Sequence, residues 1–196
     1  MPEPDLDDLL DRAKYGRVSK GEVEWVAQII GNPSAHHDLY RLIHIIGRAG
    51  NARDHEELVA PFLDSPGDPM LSRIASIVLD EWGLFGKYHD EYLAFCQGVD
   101  WDYEEDVRIV ALTRAGKYLA QSKSSSLLAC LIQTATSSEE DEITRRAALD
   151  GLALATGAAI QDLPSVDTSV EFDGSWAAGV LRQADQRYRR ECQTNR

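Results

Sequence analysis

The stretch Val107-Arg-Ile-Val-Ala-Leu-Thr-Arg-Ala-Gly116 places an arginine ahead of small and apolar residues, and related segments recur along the chain. They open at Arg41, Arg73, Arg108 and Arg145, and they align the pairs His44-Ile45, Ser76-Ile77, Ala111-Leu112 and Ala148-Leu149. A period of about 35 residues is typical of solenoids, in which each repeat is a pair of helices that buries its apolar face against the next repeat. The pattern therefore predicts an all-α fold: a right-handed α-solenoid of stacked antiparallel helix pairs, with about ten helices.

We expect the chain to form a single domain over residues 1–196, divided into four parts. Apolar residues at helical spacing predict an N-terminal capping hairpin over 1–33 and a repeat core over 34–156. Residues 157–173 contain many Asp, Ser and Thr residues and are predicted to form a surface loop that is longer than an ordinary solenoid turn. Residues 174–196 are predicted to form a C-terminal capping helix, since arginines are favourable in its last turn.

Capping residues predict where several helices begin. Ser19 and Glu22 fit a capping box, and the segment from Ser137 to Glu140 fits a second one. Further starts are predicted at Ser34, Asn51, Asp68-Pro69 and Ser124, with the Asp68 side chain supplying a capping oxygen. The helix that follows Ser34 is predicted to end between Gly47 and Gly50.

The sequence has no segment typical of a membrane or secreted protein. No apolar run approaches the roughly 20 residues that span a bilayer, and residues 1–8 lack the basic and apolar regions of a secretion signal. The chain has three cysteines, Cys96, Cys130 and Cys192, and their spacing does not match that of metal ligands. Because their number is odd and they lie far apart, we expect reduced thiols. We therefore expect a cytoplasmic protein that does not bind membranes.

Charge is distributed unevenly along the chain. There are 33 Asp and Glu residues against 20 Lys and Arg residues, a formal net charge of -13. The segment from Asp54 to Asp106 has 14 acids and two bases, a net of -12, whereas the last 15 residues contain five arginines and two acids. Such an acidic segment repels nucleic acid and attracts a basic partner. We therefore expect a basic protein partner and no binding to nucleic acid.

Motifs for catalysis, cofactor binding and metal binding are missing from the sequence. It has no glycine-rich phosphate loop after a strand, no G-x-S-x-G motif and no H-E-x-x-H motif. His37 and His44 could share a helix face, but they have no obvious third ligand. The carboxylates from Asp100 to Asp106 lack the spacing of a calcium loop, and a solvated first helical turn explains them better. We expect no catalytic, cofactor-binding or metal-ligating residue.

The best candidate for a binding site is the loop from Asp100 to Asp106, where two aromatic residues lie among five acids. Aromatic anchors within a polar rim dominate interface energies, although Trp101 and Tyr103 could instead pack into the core while the acids cap the helix. Stacked repeats would bring an earlier helix end beside this loop. The predicted partner-binding residues are Asp80, Glu81, Asp100, Trp101, Asp102, Tyr103, Glu104 and Glu105. The recurring arginines are predicted to be structural.

Two segments, Val107-Arg-x-x-Ala-Leu112 and Arg145-x-x-Ala-Leu149, resemble the second-half signature of HEAT repeats. The whole array, from about residue 34 to residue 155, resembles bacterial HEAT-like repeat proteins. The first two repeats match less closely, with His44 and Ser76 where alanine is usual.

The segment from Asp68 to Arg108 is also similar to small HEAT-like proteins encoded beside polymorphic and contact-dependent toxins, where they act as immunity proteins. This resemblance implies a non-enzymatic protein that neutralises a basic toxin domain, such as a nuclease, by covering its active surface. The sequence leaves the oligomeric state open, and a monomer is favoured. HEAT-like adaptors and regulatory or lyase subunits share the fold. HEAT-like DNA glycosylases share it too, but they need a basic face, which the acidic segment opposes. A toxin gene beside this gene would favour immunity, and a biosynthetic gene would favour the lyase or regulator.

Overall fold

The computed structural model describes residues 4–34, 36–163 and 174–194. In these ranges it contains ten α-helices and no strand, so the all-α prediction is confirmed. The helices are α1 (Leu6–Lys14), α2 (Lys20–Gly31), α3 (Leu39–Ala49), α4 (Ala52–Val59), α5 (Pro69–Glu81), α6 (His89–Gln97), α7 (Asp106–Gln121), α8 (Ser125–Thr136), α9 (Glu142–Ala155) and α10 (Gly174–Thr194). Short 3-10 turns follow α4 at Ala60–Phe62 and α9 at Ile160–Asp162.

Several predicted helix starts are confirmed by side chains that accept hydrogen bonds from first-turn amides. At α2 the capping box is reciprocal: the Ser19 amide donates to Glu22 Oε2 at 2.8 Å, and the Glu22 amide donates to Ser19 Oγ at 3.4 Å. Asn51 caps α4 with a 3.1 Å bond, and Ser124 caps α8 with a 3.4 Å bond. These side chains satisfy amides that have no partner within the helix.

Three other predicted caps are wrong, and in two of them a residue closer to the helix performs the capping. Ser34 does not cap α3: Asp38, next to the helix, accepts from a first-turn amide at 3.1 Å. The capping box from Ser137 to Glu140 does not form, because Asp141 accepts from two first-turn amides of α9 at 2.6 and 2.9 Å. Asp68 precedes α5 with Pro69 at the first helical position, but its side chain makes no capping bond to the described first turn.

By their contacts the helices form two compact units, Met1–Tyr88 and His89–Arg196. In the first unit α3 packs against α1, α2 and α5. This helix ends at Ala49, within the predicted interval, but Gly47 lies inside it and faces Val78 of α5, where an added Cβ would come within 3.1 Å of Cγ1. Gly47 is therefore a packing residue that lets two helices approach closely. A single domain over 1–196 stays a prediction.

In the second unit α7 packs against α9, with two glycines at their contact. A Cβ added to Gly116 would lie 2.5 Å from the Gly151 Cα, and one added to Gly151 would lie 2.5 Å from the Leu112 carbonyl oxygen. Both distances are too short for a side chain, so the two helix backbones touch here. This close contact aligns the N-terminal ends of α7 and α9.

The predicted C-terminal helix is confirmed as α10, and it packs against α8 and α9. Its Arg187 guanidinium donates to the carbonyl oxygens of Leu119 and Ser122 at 2.6 and 2.8 Å and also to that of Ala155. These carbonyls lie at or just beyond the ends of α7 and α9, where intrahelical donors are lacking. The predicted loop over 157–173 falls partly outside the described residues, which continue to residue 163 and resume at residue 174.

Candidate protein-binding site

The candidate site begins with the loop between α6 and α7, which holds the two predicted aromatic anchors. The Trp101 ring is half-buried and packs edge-on against Phe95, with ring centroids 6.1 Å apart. Trp101 thus contacts the protein through part of its ring, and its role as an interface anchor stays a prediction. Tyr103 behaves in the opposite way, with 89% of its surface exposed. Of the two aromatic residues, Tyr103 is the one available to a partner.

Asp102 is not an exposed acid, contrary to prediction: only 6% of its surface is accessible. Its Oδ2 accepts hydrogen bonds from the amides of Val107 and Arg108 at 3.0 and 2.9 Å, so it caps α7. Its Oδ1 is buried without a hydrogen-bond partner among the described residues. Burial raises the pKa of the Asp102 carboxyl, although the two amide bonds act in the opposite direction. This carboxylate shapes the loop and does not face a partner.

Arg108 is the buried centre of this region, with 9% of its surface accessible. Its Nη1 and Nη2 donate to the two carboxylate oxygens of Glu140 at 2.8 and 2.5 Å, and its Nε donates to the Cys96 carbonyl oxygen at 3.2 Å. Nη1 also reaches Glu105 Oε1 at 3.2 Å. The paired geometry is the strong form of an arginine–carboxylate contact. The prediction that the recurring arginines are structural is confirmed for Arg108.

The Glu105 side chain is also turned toward the protein and is not one of the outward-facing acids. Its other carboxylate oxygen accepts a hydrogen bond from the Thr144 hydroxyl of α9. Its φ of 56° lies in the left-handed region, which a residue with a side chain rarely adopts. The contacts to Arg108 and Thr144 hold this conformation, so Glu105 links the loop to the start of α9.

Asp100 and Glu104 are exposed, and they flank Tyr103 in the loop. Asp80 is half-buried and Glu81 is exposed, at the end of α5 in the first unit. Each unit thus contributes acids to the predicted site. Assembly of one surface from both units stays a prediction.

Sequence reasoning missed the acids and the isoleucine at the start of α9. Glu139 and Glu142 are exposed there, and Ile143 has 67% of its surface accessible. The buried stripe of α9 begins at Thr144, one residue after Ile143. A count of the 3.6-residue period from Thr144 could have placed Ile143 outside the stripe.

A serine, a histidine and an aspartate also come together at the start of α8. His89 Nε2 lies 2.9 Å from Ser124 Oγ, and His89 Nδ1 lies 3.0 Å from Asp90 Oδ1. Ser124 is the cap of α8, and solvent screens the charge of the exposed Asp90 side chain. The contact therefore orders a helix start. Sequence reasoning missed it because 35 positions separate His89 from Ser124.

In the described parts of the chain, no helix is long and apolar enough to cross a membrane, and no group of three or more His, Cys, Asp or Glu side chains could hold a metal ion. Comparison with family models, curated proteins and solved structures finds no match for this chain. Its function must therefore be inferred from the geometry and charge of its own residues.

Proposed function

We propose that this protein is a non-enzymatic, acidic, protein-binding scaffold, and specifically an immunity protein that neutralises a basic toxin domain such as a nuclease. It acts in the cytoplasm as a monomer and covers the active surface of the toxin. Its helices form a right-handed α-solenoid of HEAT-like antiparallel pairs.

The solenoid is supported by contacts between helices that lie two apart in the sequence. In the first unit α1 packs against α3 and α3 against α5. In the second unit α7 packs against α9, and α8 packs against both α6 and α10. Stacked helix pairs produce this alternation, because each helix meets its equivalent in the next repeat.

The observation that carries the proposal is the exposed Tyr103 between two exposed acids, Asp100 and Glu104, on a loop held from within. Tyrosine is enriched among the residues that dominate binding energies. Asp102 and Arg108 fix the loop through buried hydrogen bonds, so little conformational entropy is lost when a partner binds. The excess of acids steers a basic protein to this surface.

Neutralisation follows from competition for one surface. A nuclease binds the phosphates of its substrate through lysines and arginines, and an acidic protein can form ion pairs with the same side chains. Occupation of that surface keeps the nucleic acid out without any chemical step by the immunity protein.

Co-expression tests the proposed function. Any basic protein that is encoded beside this gene is expressed alone, with this protein, and with its Tyr103→Ser variant. We expect growth arrest in the first case, rescue in the second and weakened rescue in the third. Tyr15→Ser is the matched control, since Tyr15 is also strongly exposed, at 72%, and lies in the first unit. Absence of rescue by the unaltered protein would refute the proposed function.

The non-enzymatic part of the proposal is tested at Ser124, because its contact with His89 is the arrangement that most resembles a nucleophile and its base. Purified protein is incubated with p-nitrophenyl acetate and with a fluorophosphonate probe. We expect no hydrolysis above that of a Ser124→Ala variant and no covalent adduct. Hydrolysis that this substitution abolishes would show that the protein is an enzyme.

A further inference from the structure

The start of α9 adds a second exposed apolar residue to the acidic loop before α7. We infer that the N-terminal ends of α7 and α9 form one docking surface, in which Tyr103 and Ile143 are two apolar anchors for a basic protein face with apolar pockets. The surface, called here the two-helix docking surface, consists of Asp100, Tyr103, Glu104, Glu139, Glu142 and Ile143. This inference rests on the proposed function, since it identifies where the basic partner binds.

The two halves of the surface are joined by contacts between distant parts of the chain. Thr144, the neighbour of Ile143, donates its hydroxyl hydrogen to Glu105, which lies two residues after Tyr103. Arg108 binds Glu105 from the loop and Glu140 from the segment before α9. Close packing of α7 on α9 at their glycines sets the same alignment further along the helices. Tyr103 and Ile143 are therefore held at adjoining helix ends.

Exposure of both anchors points to a partner. Tyr103 and Ile143 are 89% and 67% exposed, although burial of an isoleucine side chain is favourable by about 1.5–3 kcal/mol. Two exposed apolar residues at adjoining helix ends, with exposed acids beside them, match the apolar anchors and polar rim of interaction sites. The buried Asp102 cap and Arg108 ion pairs keep the surface rigid.

The chemistry of the surface selects a basic partner. The segments 100–106 and 138–144 contain nine carboxylates and no lysine or arginine. Four of these carboxylates are the exposed acids of the surface, whereas Asp102, Glu105 and Glu140 are turned inward. One nearby cation, Arg108, is buried and paired with Glu140, so it does not offset the outward-facing acids. The helix dipoles stabilise acids at both N-terminal ends, which lets the surface retain its negative charge. A basic face with apolar pockets complements both features.

A titration with a defined probe tests the inference. The probe is a synthetic amphipathic peptide of lysine and leucine, which carries the positive charge and apolar surface of the inferred partner. In 15N-labelled protein we expect the largest chemical-shift changes at residues 100–104 and 139–143. No binding, or shifts confined to other regions, would overturn the inference.

Matched variants separate local contact from general charge attraction. Ile143→Ser should weaken peptide binding about tenfold, the loss of one anchor contact. Ile160→Ser should change it less than twofold, because Ile160 is similarly exposed, at 60%, but lies after α9. Glu142→Lys should likewise weaken peptide binding more than Glu57→Lys does. Both residues are exposed and both changes reverse the same charge, but only Glu142 belongs to the two-helix docking surface. Equal effects within either pair would overturn the docking surface.

The outcomes distinguish this inference from the proposed function. If the peptide and its variants behave as expected but co-expression gives no rescue, the docking surface stands and the immunity function fails. If co-expression rescues growth but Ile143→Ser rescues as well as Ile160→Ser, the immunity function stands and the docking surface is wrong.

Discussion

At the scale of single residues, the candidate site divides into side chains that build the loop and side chains that face outward. Asp102, Glu105 and Arg108 are joined by hydrogen bonds to α7 and to the start of α9. Asp100, Tyr103 and Glu104 remain at the surface. Substitutions in the first group should therefore change stability, whereas those in the second should change binding.

Arg108→Lys should lower the free energy of unfolding by about 3 kcal/mol, because an ammonium cannot reproduce the paired contact with Glu140 and leaves buried acceptors unsatisfied. Arg41→Lys is the control, since its pairs with Asp7 and Asp38 are 3.3 Å long and well exposed, and it should cost less than about 0.5 kcal/mol. Urea unfolding followed by circular dichroism measures both. Equal effects would show that Arg108 is not a structural centre.

The raised pKa of Asp102 makes its contribution to stability depend on pH. The folded state holds this proton more tightly than the unfolded state, whose carboxyl titrates near 3.8. Stability from this group is therefore present below pH 3.8 and is lost as the pH rises through the higher pKa of the folded state. Asp102→Asn keeps a capping oxygen and removes the titration. The unfolding free energy of the wild type minus that of the variant should fall from pH 4 to pH 7, and a constant difference would contradict this prediction.

At the scale of helices, the fold of the second unit depends on backbone contact between α7 and α9. Gly151→Ala should lower the free energy of unfolding by about 2 kcal/mol or more, because its Cβ would collide with the Leu112 carbonyl group. Gly21→Ala is the control: it lies in α2 with nothing within 4 Å of its added Cβ, so the change should stabilise by about 0.5–1 kcal/mol. Thermal and urea unfolding measure whether each variant is less or more stable than the unaltered protein. Tolerance of alanine at Gly151 would mean that the helices do not touch.

At the scale of the whole molecule, the proposed binding of a basic partner divides into two rates. The net charge of -13 should govern association, and the proposed anchors should govern dissociation. Joint reversal of Glu81 and Glu104 to lysine should lower the association rate and weaken its dependence on salt. Tyr103→Ser should mainly raise the dissociation rate, about 30-fold for a loss of 2 kcal/mol. Stopped-flow binding to a basic partner identified by the co-expression test measures both rates. If both variants changed only the association rate, Tyr103 would not be an anchor.

The sequence by itself determined the helical fold class, many helix boundaries and the acidic surplus. These properties depend on local chemistry: Ser19 with Glu22, Asn51 and Ser124 cap helices that begin within three residues of them. Ser34 and the segment from Ser137 to Glu140 were misassigned because Asp38 and Asp141 lie closer to the helices.

Only the tertiary structure decided which side chains of the candidate site face outward. Asp102 and Tyr103 are adjacent in a run of acids and aromatics, yet one is buried and the other is exposed. Arg108 meets Glu140 across 32 positions, and Glu105 meets Thr144 across 39. Exposure is a property of contacts between distant segments, whereas helix formation depends mainly on residues three and four apart. For this reason only the packing of α9 against α7 decided that the helix ends carrying Tyr103 and Ile143 adjoin.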